Sequence, residues 1–370
     1  MINVFVRSHL TYRNDLAILK KELVSFWQNN SGIPEKQVVL MKPNLLSPHT
    51  PEEAITTHPW LVDLACQILK DYGNRLLIAD SPAGSHFKSI RKIWKLSGMQ
   101  EVAEKYGATL VDLSSRGLQE RKGIRRNYFF TDLLQEADYL LNLPKLKTHG
   151  LTVMTGAMKN LFGLIPGIQK GEFHVRYPRP EEFAETLVDV FSAVQPRFTI
   201  MDAVEILEGN GPSSGGKKRY AGFLLASENA VAVDMVAASL LGIQPGEVPM
   251  IRAAQNWRLG PPRHQDVGID GADLQPLNAQ LPSPHIFNRI PRPVHRVLKR
   301  LIWTRPKADK NNCTGCGICI KNCPAEAMFP NADRLPVIDY QKCINCFCCA
   351  EVCPDSAIVQ ESSWLVRKLS

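Results

Sequence analysis

Two runs toward the C-terminal end constrain this chain more than anything else in it. "CTGCGICIKNCP" places Cys313, Cys316, Cys319 and Cys323 ahead of Pro324, and "CINCFCCAEVCP" places Cys343, Cys346, Cys349 and Cys353 ahead of Pro354. Both read C-x2-C-x2-C-x3-C-P, and each cysteine of the first run recurs thirty positions later. In such a run three closely spaced thiolates wrap one face of an iron–sulfur cubane, and the turn carries the fourth to the other cluster. The pattern therefore predicts two [4Fe–4S] clusters. One takes Cys313, Cys316, Cys319 and Cys353; the other takes Cys343, Cys346, Cys349 and Cys323. A four-cysteine zinc ribbon pairs two C-x2-C knuckles and needs neither the third cysteine nor the prolines.

Residues 308–360 thus resemble two-cluster bacterial-type ferredoxins. Cys348 is surplus to the pattern and, like Cys66 on an apolar helix face, reads as a small buried residue. Nine of the ten cysteines lie between Cys313 and Cys353. The N-terminus "MINVFVRSHLTYRND" has no charged-then-apolar signal pattern, and no apolar run approaches the roughly 18 residues of a membrane span. The expectation is a cytoplasmic chain whose cysteines hold metal rather than disulfides. The formal charge of +8 over 370 residues is mild. It favours anionic small molecules and does not call for nucleic acid.

Ahead of the cysteines, short apolar runs alternate with amphipathic ones. "QVVLMK", "RLLIAD", "ATLVDL", "ADYLLNL", "RFTIMD" and "GFLLAS" read as strands. "PWLVDLACQILKDYG", "GMQEVAEKYG", "EEFAETLVDVFSAV" and "AVAVDMVAASLLG" read as helices, the first with Pro59 in its opening turn and Gly73 at its end. This alternation predicts an α/β fold, a largely parallel sheet with helices on both faces, beside a small α+β ferredoxin-like two-cluster iron–sulfur domain. The expected divisions are an α/β domain over 1–276, a proline-rich basic linker over 277–307, the cluster domain over 308–360 and a tail over 361–370. The linker carries one short basic amphipathic helix, 292–303, a candidate for packing or for peripheral contact with an anionic membrane surface.

Ligands of open α/β sheets bind beyond the carboxyl ends of the strands. Those ends are polar here. Lys42 and Asn44 follow one strand, Asp80 another, and Asp202, Glu208 and Asn210 follow a third. The densest stretch is "LPKLKTHGLTVMTGAMKN", which supplies Lys145, Lys147, His149, Lys159 and Asn160. "TVMTGAMKN" reads as a helix with Thr152 at its N-cap and Thr155 and Lys159 on the same face. Its N-terminus, near Lys147 and His149, would then attract an anion. Lone residues of these types usually cap helices or face solvent; recurrence across several strands makes them a candidate carboxylate- or phosphate-binding wall.

Two further loops stand out. "EGNGPSSGGKKRYAG" has letters of a P-loop and of a GxSxG elbow, but a strand follows it where both need a helix. Its glycines suit close backbone approach or a lid. "GIQKGEFHVRYPRP" offers Lys170, His174 and Arg176 on another loop over the site.

The blocks "MKPNLL", "ADSPAG", "LPKLKTHGLTVMTGAMKNLFGLIPG", "MDAVEILEGNGPSSG" and "AVAVDMVAASLLG" together resemble the Domain of Unknown Function 362 family, whose members often carry a ferredoxin module. The resemblance implies an iron–sulfur protein described as an oxidoreductase, without an established reaction. It marks the polar positions above, and Asp234, as recurrent. The expectation drawn from residues and resemblance together is an iron–sulfur oxidoreductase. It passes electrons between a redox partner protein, a ferredoxin or a reductase, and an anionic organic substrate. Lys42, Asn44, Lys145, Lys159, Asn160, Glu208 and Asn210 would bind that substrate. His149 is the first choice of proton donor because histidine titrates near neutrality, with Lys147, Asp80 and Asp202 as supporting catalytic groups. The competing readings are a non-enzymatic electron-transfer or docking subunit, and a transferase or isomerase with structural or regulatory clusters.

Overall fold

The computed structural model describes residues 1–14, 16–82, 84, 90–167, 169–213, 215–282 and 303–369. The basic helix expected over 292–303 lies, but for Trp303, outside the described residues, and so does the membrane contact assigned to it.

The N-terminal part is built on strands β1 (Ile2–Arg7), β2 (Val38–Pro43), β3 (Arg75–Asp80), β4 (Thr109–Asp112), β5 (Leu118–Lys122), β6 (Asn127–Thr131), β7 (Tyr139–Leu143), β8 (Lys145–His149), β9 (Val153–Thr155), β10 (Phe198–Gly209), β11 (Gly216–Ser227) and β12 (Val267–Gly271). The main sheet runs β12-β1-β11-β10-β7-β2-β3-β4, with β8 paired to β10 and β9 to β8. From β10 to β4 every pairing is parallel; β11 runs antiparallel to both β10 and β1. The largely parallel sheet expected from the alternating pattern is what forms.

Strand alternation splits the side chains between two cores. Val39, Met41, Leu76 and Ile78 face the helices Leu16–Asn30 and Pro59–Asp71, while Leu40 and Leu77 join the core under Pro180–Val194 and Ala230–Leu240. Both faces are therefore covered, as a parallel sheet requires. The helix Pro59–Asp71 starts on His58, whose ring nitrogen accepts the Trp60 N–H, and stops where Gly73 takes a φ of +71°.

The order has one consequence for function. β3 and β4 extend the sheet on one side of β2, whereas β7 lies on the other. The strand order thus reverses between β2 and β7, and the crevice beyond their carboxyl ends is where open α/β sheets bind ligands.

The cysteine-rich part forms two small antiparallel two-stranded sheets. β13 (Thr304–Ala308) pairs with β16 (Ile358–Ser362), and β14 (Met328–Pro330) with β15 (Pro336–Ile338). Each cysteine run ends in a one-turn helix, Ile318–Lys321 or Cys348–Glu351. Cys319, Cys349, Cys353, Met328, Val352 and Ile358 make its core.

Candidate functional site

The crevice at the order reversal holds buried charge. At the end of β2, Lys42 is fully buried; its Nζ lies 2.7 Å from Asp80 Oδ1 and donates to the Pro43 carbonyl at 2.8 Å. Asp80 also accepts the Leu45 N–H through Oδ2 at 2.6 Å. Asn160 ties β2 to β7, donating through Nδ2 to the Lys42 carbonyl at 2.9 Å and to Asn142 Oδ1 at 2.8 Å. Burial pushes the Lys42 ammonium below its usual range, and Asp80 opposes that shift. Gly163 makes the pair possible: a Cβ there would stand 2.1 Å from Asp80 Oδ1.

The "KLKTH" stretch is strand, not loop or helix. As β8 it pairs in parallel with β10 and antiparallel with β9, and all five of its residues are buried. Lys145 Nζ lies 2.9 Å from Asp202 Oδ2 and donates to the Tyr12 hydroxyl at 2.7 Å, which donates in turn to Asp202 Oδ1 at 2.7 Å. Lys147 has only neutral acceptors, Asn44 Oδ1 and the Ile55 carbonyl, both at 2.8 Å. Burial, with Lys159 adding to it, brings Lys147 down to about 7.

The expected helix over 152–160 shrinks to the four residues Ala157–Asn160. Its N-terminus is not an anion site for a ligand, because Asp234 already fills it. Oδ1 and Oδ2 of that carboxylate accept the Ala157 and Met158 N–H groups at 2.6 and 3.0 Å. Burial raises Asp234 to about 7 against these bonds.

His149 points toward the cysteine-rich part. Its Nδ1 accepts the Leu151 N–H at 3.0 Å and the Thr152 N–H at 3.3 Å, so Nε2 carries the proton and donates to Glu351 Oε1 at 3.1 Å. Burial, then the charge of Lys159, lowers the imidazole to about 4. The near-neutral titration expected of His149 is thus absent: the ring is neutral and holds the two parts of the chain together. Burial pushes Glu351 up, but the bond from His149 and the charge of Lys159 outweigh it and bring the carboxyl to about 2.

Between the sheet edge and the cysteine-rich part lies a cavity of about 950 Å³. Lys42, Asn44, Asp80, Lys159 and Asn160 line one side, and Cys323, Pro324, Cys348 and Glu351 the other. Lys159 makes no hydrogen bond or ion pair among the described residues, so its ammonium is available to a ligand. Lys170 also lines the cavity. Its Nζ donates to Ser81 Oγ at 3.0 Å and to the Ser81 and Pro82 carbonyls at 2.5 and 2.9 Å, and burial lowers it to about 8.

A second, smaller cavity is enclosed in the cysteine-rich part. Cys323, Cys343, Cys346 and Cys349 all line it, with Ile338, Ile344 and Phe347. The thiols of Cys353, Cys316 and Cys313 add to burial in raising the Cys319 thiol. All ten cysteines are free of disulfides. Among the described residues no three of these or other metal-binding side chains converge on a single ion. Four cysteine thiols around one cavity are the donor set by which iron–sulfur clusters are held.

Residues 39–239 match the family model for the domain of unknown function known as DUF362. The chain belongs to that family. Residues 305–354 of this DUF362 protein match a 4Fe-4S dicluster domain, so it carries a ferredoxin-type iron–sulfur domain. A curated relative is the thylakoid-associated protein sll1697 of Synechocystis sp., 31% identical over 224 residues that span 60% of this chain and 68% of the relative. Among solved structures, the lactate racemase apoprotein from Thermoanaerobacterium thermosaccharolyticum aligns at a TM-score of 0.42 and 13% identity over 65% of this chain and 57% of that one. No helix among the described residues is long and apolar enough to cross a membrane.

The DUF362 fold sorts the expected site residues into three groups. Lys42, Asn44, Asp80, Lys159 and Asn160 reach the cavity wall. Lys145, Lys147, His149 and Asp202 lie behind it as a buried polar layer. Glu208 and Asn210 lie outside the wall as well: Glu208 pairs with Arg219 at 3.0 Å and accepts the Gln280 N–H, and Asn210 sits at the tip of the β10–β11 hairpin. The glycine-rich loop at that tip rests on the cluster domain, where Ser213 Oγ donates to the Ala350 carbonyl at 3.0 Å. Lys170 and His174 stand on a helix, Gln169–Arg176, rather than on a loop. Cys348, expected to be buried, is part-exposed on the cavity wall. Sequence reasoning missed Glu351 and Arg126. The signals were present: an acid between two cluster cysteines, and the basic-aromatic run "RRNYFF".

Proposed function

We propose that this DUF362 protein is an iron–sulfur oxidoreductase that passes electrons to or from an anionic organic substrate held in the 950 Å³ cavity. One observation carries the reading. Cys323 and Pro324 line both the substrate-sized cavity and the cysteine-lined one, so a single residue layer separates a bound molecule from a cluster site. Cys313, Cys316, Cys319 and Cys353 would hold one [4Fe–4S] cluster and Cys343, Cys346, Cys349 and Cys323 the second. When bound, these groups supply one-electron transfer at low potential, drawn from or returned to a redox partner protein.

The chain's own residues do the rest. Lys159 binds the acid group of the substrate through an ammonium that has no acceptor among the described residues. The Lys42–Asp80 pair fixes the wall behind it. Lys170 lines the cavity and, lowered to about 8, is a group whose proton can be given up near neutrality. The role of proton donor moves there from His149, because Lys170 lines the cavity whereas His149 lies behind its wall.

The test is single-turnover reoxidation. Anaerobic, iron-loaded protein is reduced and mixed with a panel of organic acids and their neutral esters. At least one acid is expected to reoxidise it with saturation, and Lys159→Met to raise the half-saturating concentration roughly 10- to 100-fold, the range for losing a charge-assisted bond. Esters that react as fast as the acids would defeat the proposal.

A further inference from the structure

The cavity has a second chemical character that its charges do not explain. Tyr128 and Phe129 from β6, Phe162, and Phe173 and Tyr177 from the 169–177 segment all line it. Phe173 is the hub of this wall. Its ring centroid lies 5.7 Å from that of Tyr128 and 5.9 Å from that of Phe162, in tilted and edge-on arrangements. Arg126 lies flat over Tyr177, 4.4 Å from the ring centroid, so a cation borders the aromatic surface. His174, on the same wall and 7% exposed, leaves Nδ1 without a hydrogen-bond partner among the described residues.

Size narrows the ligand further. Small-molecule sites span roughly 300–1,000 Å³, and this cavity lies near the top of that range, far beyond what inorganic phosphate or acetate fills. Aromatic walls favour flat π surfaces, which stack offset or edge-on against them. Lys159, which has no hydrogen bond or ion pair among the described residues, supplies an anion contact beside this wall.

Resting on the electron-transfer reading above, we infer that the occupant is a planar, conjugated ring acid. Its carboxylate or phosphate sits on Lys159 and its ring lies against Phe173. A conjugated ring is also the kind of acceptor that can hold one added electron at a time. A dissociable substrate and a tightly held ring cofactor share this chemistry. Absorption of the small molecules released by denaturing anaerobically purified protein separates the two.

The binding test needs no electrons, so it stands or falls apart from the electron-transfer reading. Oxidised, iron-loaded protein is titrated calorimetrically with 2-naphthoate, 2-naphthyl phosphate and decalin-2-carboxylate, the saturated analogue of the first. The expected result is a preference of about five- to tenfold for an aromatic acid over the saturated one, the size of an aromatic pair contact. Phe173→Leu is expected to erase that preference by weakening the aromatic acids more than the saturated one. Lys159→Met is expected to weaken all three about 10- to 100-fold. Equal affinity for naphthoate and its saturated analogue in the unaltered protein overturns the inference, as does the absence of binding by either aromatic acid. A preference that survives Phe173→Leu overturns the placement of the ring. If aromatic acids bind yet never reoxidise reduced protein, the electron-transfer reading falls and the ring-acid site remains.

Discussion

Cys323→Ser is expected to lower the iron content of anaerobically purified protein by about half, from about eight atoms per chain, and to slow reoxidation by a cavity-bound acid at least 100-fold. Cys323 lies on the wall shared by the two cavities. On the proposed assignment, its loss removes a cluster ligand on the cavity wall and with it the cluster that this ligand would help to hold. The informative comparison is Cys316→Ser. Cys316 is exposed and is assigned to the other proposed set of four. That variant is expected to lose as much iron and still deliver the first electron at the original rate. Equal slowing in both variants would mean that proximity to Cys323 does not matter.

The second large effect concerns stability. Asp80→Asn is expected to destabilise the α/β part by about 3–5 kcal/mol, the cost of breaking a buried ion pair by removing one partner. The reason is local. Lys42 is 0% exposed, and its remaining contacts, the Pro43 carbonyl and a long 3.4 Å approach to Asn160 Oδ1, are neutral. With Asp80 neutralised, the ammonium keeps no anionic partner among the described residues. Adding Lys42→Met to Asp80→Asn removes the stranded charge and is expected to restore most of the loss, since buried pairs replaced by apolar groups are often close to neutral in stability. The measurement is the urea midpoint of the circular dichroism signal in the two variants and the unaltered chain. A single variant that unfolds at the original midpoint would mean that the pair is not the anchor described here.

How much of this was legible in the sequence depends on how local the cause is. β2, β3 and β7 were readable because they are apolar runs bounded by turns, and Pro59 and Gly73 marked a helix by backbone preference alone. The cysteine repeat was readable because one ligand geometry fixes its spacing. "KLKTH" was not. Its lysines look like loop residues until distant partners arrive: Asp202 is 57 residues from Lys145, and Asn44 is 103 from Lys147. Strand β10 outran the "RFTIMD" run for the same kind of reason, since its second half is held by pairing with β11 through Gly209 and Gly216. The burial of the His149 ring beside Lys159, which lowers the imidazole to about 4, is equally non-local and leaves no mark in the sequence around it. The cavity itself belongs to no single segment. It exists because Glu351 reaches across to His149, and Ser213 to Ala350, closing the cluster domain over the sheet edge.

The central claim is that an anion bound at Lys159 lies beside the cluster held in part by Cys323. The most direct measurement is the relaxation of ³¹P in 2-naphthyl phosphate added to iron-loaded protein, oxidised and then reduced. The account predicts strong additional relaxation on reduction, abolished by excess unlabelled naphthoate and largely lost in Lys159→Met. Relaxation that is the same in both redox states, or that persists undiminished in Lys159→Met, would contradict it.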